Sequence, residues 1–103
     1  MTFEWEKFHL AMHTLAGAGS IQRRLADAYT LQLMHVAPGE LPAEVRPLFE
    51  RLRADLTGGK LEASTDDICA RVRRLTDDQA SEAVDRILVI HDAVARSGAT
   101  FAQ

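Results

Sequence analysis

All three prolines of this 103-residue chain fall within ten residues, Pro38, Pro42 and Pro47 of "PGELPAEVRP". A proline inside a helix removes an amide donor and its ring clashes with the preceding turn. This segment is therefore the principal turn, and the chain on either side of it is free to be helical. Both flanks use that freedom. Apolar residues recur at three- and four-residue spacing, and no stretch sustains the two-residue alternation of a half-buried strand. The expectation is an all-α fold: a compact single-domain bundle of four to five helices over residues 1–103, mostly antiparallel neighbours. Hydrophobic residues at 47% and charged residues at 26% are ordinary globular usage, so the chain can fill one core. Its length does not support two.

Local signals place the helices at about 3–16, 21–36, 47–56, 66–75 and 77–97, with the proline-rich turn at 37–47 and a flexible loop at 57–64. Thr2 is a candidate cap for the first helix, with Glu4 and Glu6 where the positive end of the helix dipole favours them. Ser20, after the glycines of "AGAGS", suits the cap of the second. Pro42 fits the opening of a brief helical turn and Pro47 the opening of the third helix. Gly58 and Gly59 suit the left-handed conformation after a helix end. Thr65 is the candidate cap of the fourth helix, with Asp66 and Asp67 in its first turn and Arg71, Arg73 and Arg74 toward its end. Thr76 and Gln79 form a capping-box pattern for the fifth, which Gly98 is expected to stop. Leu48, Phe49, Leu52 and Leu56 form the expected buried side of the third helix, and the apolar stripes together give an expected core of Trp5, Phe8, Met12, Leu15, Ile21, Leu25, Tyr29, Leu33, Leu48, Leu52, Leu56, Ile68, Val72, Leu75, Val84, Ile87 and Val94.

Composition narrows function by exclusion. A net charge of −3 offers no general field for nucleic acid or an anionic membrane. The one basic cluster, Arg71, Arg73 and Arg74, precedes a helix whose exposed side carries Asp77, Asp78, Glu82 and Asp85, which would face phosphates. Nucleic acid is therefore not an expected partner. The longest apolar run, "ILVI", is far too short to span a bilayer. A single cysteine, Cys69, permits no intrachain disulfide, and a cytoplasmic setting is the simplest expectation. The serines sit at caps and helix ends, and no phosphate-cradling loop follows a strand, so no catalytic set is proposed and an enzyme is not the favoured reading.

Three groups of residues stand out. Glu6, His9 and His13 fall within an arc of roughly 60° on the first helix, so their side chains can face one ion such as zinc. A solvated helix edge accounts for the same spacing, and the chain holds no second set, so the trio is at most a half-site completed across a dimer axis. No cofactor is otherwise expected. His91 projects with Ala80, Val84, Ile87 and Val94. A buried ring there calls for a partner, with a backbone carbonyl, Tyr29 or Gln32 as candidates, and His91 with Tyr29 is a candidate ligand pocket. Finally, Leu31 and Met34 lie opposite the apolar face of the second helix, and Val89 faces outward on the last. These suggest a contact surface. The functional expectation is a small interaction or regulatory module, homodimeric and binding a further unidentified protein, with a metal- or small-ligand-binding bundle as the alternative.

Overall fold

In the computed structural model, which describes residues 3–60 and 62–101, the first helix, α1, runs Phe3–Leu15. Thr2, the candidate cap, lies outside the described residues. The break over Ala16–Gly19 ends in Gly19 at φ 104°, a conformation that glycine adopts without strain. Ser20 then caps α2 (Ile21–Ala28) by accepting a hydrogen bond from the Arg23 amide at 3.1 Å. Instead of continuing as an α-helix to residue 36, the chain widens into a π-helical turn over Tyr29–Leu33, closed by the Met34 amide donating to the Tyr29 carbonyl at 2.8 Å.

Two short 3-10 turns, Pro38–Glu40 and Ala43–Val45, fill the proline-rich segment and lead into α3 (Arg46–Thr57). Leu41 and Val45 are buried there, so the turn closes one end of the core. Gly58 ends α3 at φ 68° as its spacing suggested, and Ala63, beyond it, is buried. The fourth helix, α4 (Thr65–Arg73), is capped by Ser64 and not by Thr65. Ser64 and Asp67 bond reciprocally, side chain to amide, which makes the earlier residue the better cap. α5 (Asp77–Phe101) continues through Gly98. Glycine lowers helix propensity but forces no break unless the backbone has a reason to turn.

The capping box at the start of α5 forms as expected: the Thr76 hydroxyl accepts from the Gln79 amide at 3.1 Å, and the Thr76 amide donates to Gln79 Oε1 at 2.9 Å. Thr76→Ala is expected to lower stability by about 1 kcal/mol. A thermal melt that does not shift would show that α5 is held by packing alone.

Among the described residues there is no strand, and one cluster of buried side chains joins all five helices. The radius of gyration, 13.1 Å, is that of a close-packed chain of this length. Sequential neighbours pack on one another only in part. α1 lies on α2 and α3 on α4, but α2 is central and also meets α4 and α5, and α5 meets α1, α2 and α3. Of the expected core, Trp5, Met12, Ile21, Leu48, Leu75 and Val84 are only half-buried at its margin, whereas Phe49 is fully buried, as is Ile90, which lay outside the expected set. The Arg71 Nε donates to the Asp55 carbonyl at 2.7 Å, completing the last turn of α3. Arg86 on α5 donates to Asp55 Oδ2 at 2.8 Å and ties the two helices at one residue.

Candidate functional site

The packing of α1 against α5 brings together residues that the sequence keeps 78 or more positions apart. The imidazole of His9 lies flat on the indole of Trp5, with ring centres 4.7 Å apart and planes 10° from parallel. On its helix His9 is followed one turn later by His13, whose ring meets it edge-on at 4.8 Å. The two Nε2 atoms are 3.3 Å apart. In the neutral pair one nitrogen carries a proton and donates it to the lone pair of the other. Across the helix boundary, the ring of His91 on α5 stacks toward His9 at 6.2 Å and 25°.

His91 thus finds none of its expected companions. The core line of α5 passes through Ala83, Ile87, Ile90 and Val94, leaving His91 half-buried at the edge and not central in the stripe. Its Nε2 is nevertheless shut away from solvent and has no hydrogen-bond partner. Loss of hydration holds the His91 pKa below the ordinary imidazole value; the neighbouring His9 adds to that and Asp92 opposes it.

Tyr29 is elsewhere. It is buried beneath a cleft of about 650 Å³ lined also by Met34, His35, Glu50, Arg53 and Lys60. Burial pushes the Tyr29 hydroxyl above its usual pKa, and the Arg53 side chain against it works in the other direction. Arg53 also donates to the Val36 carbonyl, so its charge is already engaged in holding the chain past the π turn. The candidate pocket of His91 and Tyr29 therefore separates into two places, and the volume lies with Tyr29.

His9 and His13 converge as their spacing suggested. Among the described residues, however, no group of three or more His, Cys, Asp or Glu side chains is disposed to hold a metal ion, so neither Glu6 nor His91 completes a three-ligand set with the pair. Of the expected contact residues, Leu31 is 70% and Val89 51% exposed, whereas Met34 packs against the core margin. The wider π turn rotates the residues after it relative to an α-helix, which brings Met34 inward and leaves Leu31 out.

Two further exposed leucines flank the histidines: Leu10 at 50% and Leu88 at 41%. Each is three residues before a histidine of the cluster, His13 and His91, and so is its neighbour on the helix surface. The signal for Leu10 was its place off the Phe8, Met12 and Leu15 stripe. Comparison with protein-family models, with curated proteins and with solved structures finds no match to this chain. No described helix is long and apolar enough to cross a membrane.

Proposed function

We propose that this chain is a small cytoplasmic interaction module that works as a homodimer and pairs through the outer surface of α1 and α5. The observation that carries this reading is the pair of exposed leucines, Leu10 and Leu88, each one turn before a histidine of the ring cluster of Trp5, His9, His13 and His91, with Val89 exposed next to Leu88 in the chain. Large apolar side chains scattered singly over a surface require no explanation. Here they border a partly desolvated aromatic cluster on two adjoining helices, a composition that suits the centre of an interface. A two-fold axis over this surface would set the patch against itself, which is how a homodimer forms from one patch.

Sedimentation equilibrium tests the reading. The expected result is a dimer in the micromolar range that Leu88→Glu weakens by at least tenfold, about 1.4 kcal/mol, with helical content unchanged. Leu31→Glu should leave the dimer intact, because Leu31 lies on the π turn outside the proposed face. A monomer at high micromolar concentration would reject the homodimer. A dimer lost with Leu31→Glu and kept with Leu88→Glu would move the contact to the π turn.

A further inference from the structure

We infer that His9 and His13 form a two-nitrogen site for a late first-row divalent ion, zinc foremost, shared with the same pair of a second copy. The sharing rests on the homodimer reading; the two-nitrogen site rests on geometry within one chain. A tetrahedral zinc ion bound at about 2.0–2.1 Å by two imidazoles separates their nitrogens by about 3.3–3.4 Å. The His9 and His13 Nε2 atoms stand 3.3 Å apart before any ion is considered. Both residues are exposed, so an ion and its other ligands can approach.

The site is also held in place. A free helix edge would let each ring rotate, and ordering both would weaken binding. His9 is held on one face by the Trp5 indole, stacked at 4.7 Å, the His91 ring stands 6.2 Å away, and both histidines stand on a regular helix. Ligands fixed by surrounding packing bind more strongly than the same ligands on mobile chains. Binding requires no redox step. Each imidazole gives the ion its Nε2 lone pair and carries its proton on Nδ1, so the hydrogen bond between the rings is replaced by two metal–nitrogen bonds. Imidazole donors select zinc, copper or nickel over magnesium and calcium, which take oxygen ligands.

Two nitrogens leave a tetrahedral ion half-coordinated, and no third ligand of the described residues joins them. Across a two-fold axis a second His9 and His13 would supply the remaining two positions, giving four imidazoles and one ion per two chains. The exposed Leu10, one turn before His13, and the exposed Leu88, one turn before His91, supply the apolar part of the same contact.

Calorimetric titration of the full chain with zinc chloride, followed by sedimentation with zinc and then with EDTA, tests this. The expected result is binding tighter than millimolar at one ion per two chains, with a dimer strengthened at least about tenfold by zinc and returned by EDTA. His13→Ala should weaken binding by at least about tenfold, since losing even an outer partner of a ligand costs that much, and Glu6→Ala should leave it unchanged. His9→Ala should match His13→Ala, but because it also removes the ring stacked on Trp5, the exposed His13 is the deciding variant. Binding no tighter than millimolar, or unaffected by His13→Ala, would overturn the site. A dimer that forms without zinc and ignores it would overturn the sharing and leave the homodimer reading standing. One ion per chain on a persistent monomer would overturn both the sharing and the homodimer while keeping the two-nitrogen ligation.

Discussion

Phe49→Ala is expected to remove about 3–5 kcal/mol of folding stability, the usual loss when a large buried aromatic leaves a cavity. A domain of this length holds roughly 5–15 kcal/mol in all. The variant should therefore be partly unfolded at room temperature or melt far below the parent. Phe49 has no exposed surface. Its ring takes the edge of Phe8 from α1 at 6.0 Å, and the Arg53 guanidinium lies over it at 5.1 Å. That guanidinium in turn reaches the Val36 carbonyl past the π turn, so the cavity would also loosen the donor that holds the chain there. Urea unfolding followed by circular dichroism measures the loss. A cost under about 1 kcal/mol would mean that the surroundings collapse into the space, which close-packed interiors seldom do.

Phe49 also shows what in the fold was legible. Its place on the buried side of α3 follows from the Phe49, Leu52, Leu56 spacing, and the limits of α3 follow from Pro47 and Gly58, whose chemistry acts through their own backbone. The caps at Ser20 and Thr76 were readable for the same reason, since each contact spans three residues. The π turn was not readable. A turn of that width is adopted when tertiary packing favours it, and only its effect left a trace in the sequence: Leu31 and Met34 did not fit the face of a continuous α-helix. Met34 was out of place because the helix assumed for it was the wrong one.

The site divides along the same line. His9 and His13 lie on one helix at a fixed spacing, so their convergence could be derived from helix geometry. His91 could not be assigned its neighbour, because which edge of α5 meets α1 depends on how all five helices share the core. Its stripe of Ala80, Val84, Ile87 and Val94 suggested a central position, but the buried line runs through Ala83, Ile87, Ile90 and Val94 and leaves it at the edge. Leu10 and Leu88 gain meaning only when their two helices are side by side.

His91→Leu should raise stability by about 1 kcal/mol, because it removes a buried nitrogen that bonds to nothing while keeping a side chain of similar size. For a domain of this length that is roughly 4–8 °C in melting temperature. The gain should also depend on pH. In the unfolded chain His91 titrates near 6.5, and in the folded protein its pKa is lower, chiefly through lost hydration, with His9 on α1 adding to this and Asp92 on α5 opposing it. Below pH 6.5 the unfolded state therefore binds a proton that the folded state resists. The contribution of neutral His91 is present above that pH and is lost as pH falls through the depressed folded value. Leucine does not titrate, so the gap between variant and parent should widen between pH 7.5 and pH 5.5, roughly the window set by an unfolded imidazole near 6.5. Urea midpoints of both proteins across that range measure it. A gap that stays constant would mean that His91 is hydrated in the folded protein, and a less stable variant would mean that its ring has a partner.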